Sequence, residues 1–307
     1  VIDPEHCLNF TPAGCGRCAQ VCPRKAINFN DKERRVEVEA GTIIVAAGYD
    51  PYDPSVDEEY GYGVYPDVVT ALEVERMLSA AGPTGGKVVR PSTGEVPKRV
   101  VYIQCVGSRN ARRNPYCSRV CCMYATKQAI QIKEKHPDTE VYILYIDVRA
   151  FGKGFEEFYE RAQLEYGVKY IRGRGAEVYY DPDRDRLVVR AEDTLLGRLV
   201  EIDADLVVLS VGLVPPRGID KLCEVLRIPR GADGFLLEAH PKLRPVDTVD
   251  DGVFICGCAQ GPKDIPDTVA QAKAAASAAM RLMAQGEYVI EPYYAVVDED
   301  LCGGCGI

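Results

Sequence analysis

The chain has 307 residues, enough for about two domains at ~150 residues each, and its 47% apolar and 27% charged residues exclude global disorder. With 37 basic against 46 acidic residues, the net charge of −9 disfavours nucleic acid as the main ligand. No stretch approaches the ~18 consecutive apolar residues of a membrane-spanning helix. Thirteen cysteines, an odd number spread through a chain of this size, do not read as a secreted disulfide framework; their spacing points to metal in a reducing compartment.

Residues 1–30 are Cys-rich and short of regular periodicity. Residues 35–48 read as strand, closing with the apolar run Thr42-Ile43-Ile44-Val45-Ala46-Ala47-Gly48. Residues 49–67, with three prolines and many Tyr and Asp, predict an irregular loop. A short helix follows over about 70–81, with Thr70 as N-cap, and 82–97 form a linker. From residue 98 strands and helices alternate: strand 99–105, helix 119–135 stopped at His136-Pro137, strand 140–147, helix 154–166 and strand 168–172. Residues 176–203 alternate around a hairpin signature at Asp181-Pro182-Asp183. Strand 205–212, helix 218–227, strand 252–257 and an Ala-rich helix over about 267–285 complete the pattern. This rhythm predicts a mainly parallel sheet flanked by helices.

The first cysteine motif is Cys7-x7-Cys15-x2-Cys18-x3-Cys22-Pro23. It is similar to the C-x2-C-x2-C-x3-C-P run of bacterial ferredoxins, with the first spacer stretched. A zinc knuckle and reduced structural thiols are the other readings. Cys22, the cysteine before Pro, serves either the cluster of Cys7, Cys15 and Cys18 or a second one. Cys302-x2-Cys305 opens a similar motif after an acidic run, although an isolated CxxC also suits a redox pair. A central set, Cys105, Cys117, Cys121 and Cys122, runs from the end of a strand to the start of a helix. That is the carboxyl edge of the sheet, where α/β folds bind ligands. A helix amino terminus stabilises thiolates there; inert buried thiols are the plainer reading. Arg109, Arg112, Arg113 and Arg119 crowd the same segment and would offset an anionic cluster, unless they only solvate a loop. Lys127 lies five residues beyond Cys122, about one helical turn further on a similar face, where a cation could serve a flavin N5 edge or simply face solvent.

Gly252-Val253-Phe254-Ile255-Cys256-Gly257-Cys258-Ala259 resembles the second flavin motif of flavoproteins with two dinucleotide folds, with Cys258 where an Asp usually meets the ribityl chain. The helix after it, announced by Ile265-Pro266-Asp267-Thr268, is rich in small residues. Residues 42–48, ending in Ala46, Ala47 and Gly48, resemble the other recurrent strand of that fold. No G-x-G-x-x-G occurs anywhere, and the central turn Cys105-Val106-Gly107-Ser108-Arg109-Asn110 lacks the glycines a pyrophosphate needs. The nicotinamide site reads as replaced by the cysteine loop.

The runs from Gln104 to Arg109, from Asn114 to Ala129, and from Gly257 to Thr268 together resemble the A subunit of heterodisulfide reductase over essentially the whole chain. The resemblance implies an α/β, thioredoxin-reductase-like, two-dinucleotide-fold flavoprotein body with ferredoxin-like iron–sulfur segments at both ends. It implies FAD beside Ala46, Ala47, Gly48, Lys127, Gly257, Cys258, Ile265, Pro266 and Thr268, and [4Fe–4S] clusters on the cysteines above. It divides the chain into half of an inserted ferredoxin (1–34), a flavin domain in two parts (35–97 and 216–290), a degenerate nicotinamide-type domain (98–215) and the start of a C-terminal ferredoxin (291–307). The chain is thus expected to be a piece of a longer protein. The implied setting is a cytoplasmic complex, dimeric as a whole, with heterodisulfide reductase B and C subunits and a hydrogenase or formate dehydrogenase module. There, electron bifurcation couples disulfide reduction on the B subunit to reduction of ferredoxin. An NAD(P)H-dependent flavin disulfide reductase and a non-enzymatic metal-binding scaffold are the alternatives.

Overall fold

Strands that are apolar along their whole length must be covered on both faces, and that requirement organises the fold. The computed structural model describes residues 2–289, 293, 295–298 and 300–304. The chain falls into two compact units, Val1–Ala40 and Gly41–Ile307.

In the first unit none of the described residues is buried. Its regular structure is a short helix, α1 (Arg17–Val21), after a 3-10 turn at Leu8–Phe10. Phe10 and Phe29 meet edge to face, with ring centroids 5.9 Å apart. The strand expected across 35–48 is confined to β1 (Ile43–Val45), in the second unit. Val36 and Val38 alternate with charged residues as a strand would, but no strand pairs with them among the described residues, and both are exposed.

The second unit continues with β2 (Asp50–Pro51), β3 (Val68–Thr70), α2 (Ala71–Leu78), β4 (Arg99–Val106), α3 (Cys121–Lys135), β5 (Glu140–Tyr145), α4 (Phe155–Leu164), β6 (Lys169–Arg172), β7 (Gly175–Asp181), β8 (Arg186–Asp193), β9 (Arg198–Ala204), β10 (Leu206–Val211), β11 (Leu213–Val214), α5 (Ile219–Leu226), β12 (Val253–Ile255) and α6 (Ile265–Gln285). β3, β10, β4, β5 and β6 form one parallel sheet in that order. On one face Val74, Ala125, Ala129, Ile132 and Ala162 of the helices pack against Val100, Tyr102, Ile143 and Val208. On the other, Val178, Val189 and Ile202 of the antiparallel sheet β7-β8-β9 cover Val101, Ile103, Val207 and Leu209. Each Val or Ile side chain among them contributes roughly 1.5–3 kcal/mol on full burial. This is the α/β architecture that the alternation predicts.

β1 pairs in parallel with β12, Val45 opposite Ile255. Ala275 and Ala279 of α6 pack with Phe254 and Cys256. α6 starts two residues earlier than the expected 267: Asp264 caps it by accepting from Asp267 N at 2.9 Å, and the fixed φ of Pro266 suits a first turn. No helix among the described residues is long and apolar enough to cross a membrane.

α2 begins where Thr70 predicts. Glu73 N donates to Thr70 Oγ1 at 3.3 Å and Thr70 N donates to Glu73 Oε2 at 2.6 Å, a reciprocal capping box. Thr70→Ala is expected to cost about 1 kcal/mol, read as a lower denaturant midpoint, and Thr70→Ser to keep most of the stability.

Candidate functional site

The cysteine loop starts at a defect in the sheet. Ile103 pairs with Leu209 and Val106 with Val211, so Gln104 and Cys105 together oppose Ser210. The extra residue is a bulge, and Cys105 takes it up with φ 63°, a left-handed backbone that costs free energy for a side chain of its kind. Beyond it Arg109 N donates to Tyr116 O and Asn110 N to Asn114 O, both at 2.9 Å, folding 105–118 back on itself. Leu213 N donates to Ser118 Oγ at 2.9 Å and Tyr116 OH to Leu213 O at 3.0 Å, docking the loop beside β11.

Every described cysteine is a free thiol. Cys105 and Cys121 are buried, and Cys117 and Cys122 half-buried. Burial pushes the Cys105 thiol up to about 11; Cys122 and Cys117 push the same way, and Arg109 and Arg174 oppose them. Burial also raises Cys121 well above the ordinary thiol range; the Tyr124 hydroxyl opposes this, while Cys105, Cys122 and Cys117 add to it. Cys122 is raised by burial and by Cys117, against a hydrogen bond from Arg149 N. The four thiols therefore lie within reach of one another's charge. No three His, Cys, Asp or Glu among the described residues are grouped as a single metal ion requires. Four thiols form a soft donor set, the neighbouring Asp147 carboxylate being taken by Arg109 and Arg149, and a polynuclear iron–sulfur group spaces its ligands more widely than one ion does, so these residues fit such a group.

Of the four arginines in the loop, three are spent in ion pairs. Arg109 holds Asp147 bidentately at 2.6 and 2.9 Å. Arg113 Nε donates to Asp57 at 2.8 Å, and Tyr52 OH donates to the same buried carboxylate at 2.9 Å. Arg119 pairs with Asp267, in the first turn of α6, at 2.5 Å. A further cation, Arg174, was not singled out by the sequence; it donates to the carbonyls of Cys105 and Arg109 at 3.5 and 3.4 Å.

The two flavin-type segments leave β1 and β12 side by side, with Cys256 N donating to Val45 O at 3.1 Å. Ala46 and Ala47 are exposed, and nothing lies within 4 Å of where a Cβ on Gly48 would stand. Gly257, at φ 69°, donates its N–H to Gln271 Oε1 at 2.8 Å, and a Cβ there would meet Thr268 Cγ2 at 3.3 Å. Cys258 Sγ is 3.5 Å from Lys263 O. Ile265 and Pro266 are exposed and Thr268 half-buried, all in the first turn of α6. An open edge lined by small residues beside a helix amino terminus fits a flavin ring or its ribityl chain. Tyr49, the residue after Gly48, is raised by burial first, then by the charges of Cys258 and Cys121. Tyr49 thus lies within range of both thiols' charge while staying 46% exposed, and the Arg119–Asp267 ion pair ties the cysteine loop to the first turn of α6. Sequence spacing held no signal for Tyr49.

The remaining predicted residues have partners of their own. Lys127 Nζ, on α3, pairs with Glu75 at 2.6 Å. Burial opposes ionisation of that carboxylate, but hydrogen bonds from Gln128 and Lys127 hold it below its usual range. In the first unit Cys15 and Cys18 are exposed and Cys7 and Cys22 half-buried; Ala26 N donates to Cys22 Sγ at 3.4 Å and lowers that thiol. Cys302 is exposed, and Cys305 lies outside the described residues.

No protein-family model matches the chain. Over all 307 residues it is 57% identical to the A subunit of the H(2):CoB-CoM heterodisulfide,ferredoxin reductase of Methanothermobacter thermautotrophicus, covering 46% of that protein. The iron-sulfur A subunit of the CoB–CoM heterodisulfide reductase of Methanocaldococcus jannaschii is 56% identical over 100% of this chain and 46% of its own length. The A subunit of the Ferredoxin/F(420)H(2)-dependent CoB-CoM heterodisulfide reductase of Methanosarcina acetivorans is 50% identical, over 99% of this chain and 38% of that one. The chain spans less than half the length of these curated relatives. Among solved structures, thioredoxin reductases of T. acidophilum and Lactococcus lactis superpose with TM-scores of 0.48 and 0.49 at 15% and 18% identity, each covering 80% of this chain and 66% of the other.

Arg113→Leu is expected to destabilise the cysteine loop by about 1–3 kcal/mol, because it removes a charged donor from the buried Asp57. Denaturation curves should show that loss, and Asp57→Asn in the same chain should recover part of it.

Proposed function

We propose, for a chain that belongs to the heterodisulfide reductase A-subunit family, that it is the electron-transferring core of a flavin and iron–sulfur subunit. The observation that supports this best is the Arg119–Asp267 ion pair, which ties the cysteine loop to the helix that follows the flavin-type turn. A bound flavin takes up electrons in pairs and an iron–sulfur cluster passes them singly, so the two together can divide a pair.

Ala46, Ala47 and Gly48 on one strand end and Gly257 and Cys258 on the other border the flavin, with Ile265, Pro266 and Thr268 placing the helix amino terminus against it. Cys105, Cys117, Cys121 and Cys122 hold one [4Fe–4S] cluster where a nicotinamide would lie in a relative of this fold. Cys7, Cys15, Cys18 and Cys22 belong to a ferredoxin-like module, and Cys302 and Cys305 open another. That residues 2–40 bury no side chain supports a module organised by its metal rather than by an apolar core. Lys127 stands one turn beyond the vicinal cysteines and tunes the flavin, with Glu75 fixing its ammonium.

In the complete protein these groups serve an electron-bifurcating, cytoplasmic heterodisulfide reductase complex. B and C subunits are its partners, disulfide cleavage taking place on the B subunit; a hydrogenase or formate dehydrogenase module supplies electrons, ferredoxin receives part of them, and the assembly is a dimer of such complexes.

Cys105→Ser, in full-length protein purified without oxygen, is expected to lose one cluster's iron and slow electron flow from the flavin while leaving the ferredoxin-like clusters intact. Full iron content with an unchanged EPR spectrum would overturn the assignment. Lys127→Ala is expected to shift the flavin midpoint potential, and superimposable redox titrations of variant and parent would remove Lys127 from the site.

A further inference from the structure

Lys263 is an ammonium group in the wrong place for an ordinary lysine. It lies between β12 and α6 and is only 9% exposed, although a four-carbon stem could carry its charge to water. It takes part in no ion pair among the described residues. Its three N–H donors go instead to neutral oxygens of a single turn: the Gly257 carbonyl at 2.9 Å, Gln260 Oε1 at 2.9 Å and the Gly261 carbonyl at 2.7 Å.

Neutral acceptors satisfy the hydrogen bonds without forming an ion pair; Cys258, Asp267 and Glu238 act on the charge only from a distance, and a buried charge without an ion pair is costly. A side-chain amide could make much of the same bonding without that cost, so the fold of the turn does not explain a cation. The place does. Gly257 opens the turn bordering the flavin in the proposed function, and Cys258 Sγ lies against the Lys263 carbonyl. Lys263 immediately precedes Asp264, the N-cap of α6, so its charge adds to the positive end of that helix dipole. Of the acidic groups at that helix start, Asp264 accepts from the Asp267 backbone N–H and Asp267 is matched by Arg119. With all three donors occupied, Lys263 acts on a ligand through its field and through the turn, not by direct bonding.

We propose that Lys263 is a positioning residue of the flavin site, a buried ammonium that shapes the turn from Gly257 to Gly261 and favours the reduced, anionic form of the flavin beside it. The inference rests on that turn being the flavin contact.

The test uses full-length, flavin-loaded protein with Lys263→Gln and Lys263→Met, measuring flavin content and the flavin midpoint potential by spectroelectrochemical titration. Lys263→Gln, which keeps a donor in the turn, is expected to retain flavin with a lowered midpoint; Lys263→Met is expected to lower the midpoint and lose part of the flavin. A midpoint equal to the parent's in loaded Lys263→Gln overturns the proposal, because only the charge was removed. Flavin loss as complete in Lys263→Gln as in Lys263→Met also overturns it, reducing Lys263 to a staple. Gly257→Val tests the underlying reading separately: undiminished flavin in that variant removes the turn from the flavin site and the proposal with it.

Discussion

β10 is buried at every one of its positions between β3 and β4, and the placement of the candidate site depends on where its register with β4 breaks. A fully buried strand cannot slide, since a one-residue slip would exchange the faces packed on the helices and on the antiparallel sheet. The mismatch is therefore absorbed at one point, where two residues of β4 face Ser210. Ser210 Oγ and Gln104 Oε1, both at this break, are buried without hydrogen-bond partners among the described residues. Each such group carries a desolvation cost of about 1–3 kcal/mol. Left-handed Cys105, and the left-handed Arg109 and Arg119 that follow, add backbone strain in the same short stretch. Strain and unsatisfied polar atoms gathered beside four thiols are what a structure tolerates for a ligand, not for stability.

The loop is then fixed from three directions by charge. Asp147 lies just past β5, Asp57 in the irregular loop before β3, and Asp267 on α6, and each takes one arginine of the loop. Pairing is what allows guanidinium groups to crowd a small segment without repelling one another. It also means that the local field is smaller than a count of four arginines suggests, and that unpaired cations reaching the site from elsewhere, Arg174 and Lys263, weigh more than their number.

Much of this was legible in the sequence wherever the information is local. Thr70 announced α2, His136-Pro137 ended α3, and the continuous apolar runs gave β4 and β10. The alternation through Val36 and Val38 misled because periodicity reports a face and not a partner strand, and no described strand lies there. The cysteine positions were readable because each motif is contiguous. Asp57 and Arg174 were not, since each joins the site through contacts across 50 residues or more: Asp57 with Arg113 at 56, Arg174 with Cys105 at 69. Lys263 was visible in a quoted run, but only burial distinguishes it from a surface lysine.

The bulge that seats Cys105 and the joint between the cysteine loop and α6 differ in kind. Cys105 is buried at its bulge, whereas the Arg119 and Asp267 side chains keep 35% and 50% of their surface in water. Dissolved ions reach the second and hardly the first, and at physiological ionic strength screening acts over about 8 Å. The joint between loop and helix is therefore responsive to salt, while the bulge that seats Cys105 is indifferent to it. In a cell with a strongly saline interior the two halves of the site would be held together mainly by what is packed between them, and only weakly by the charges facing solvent.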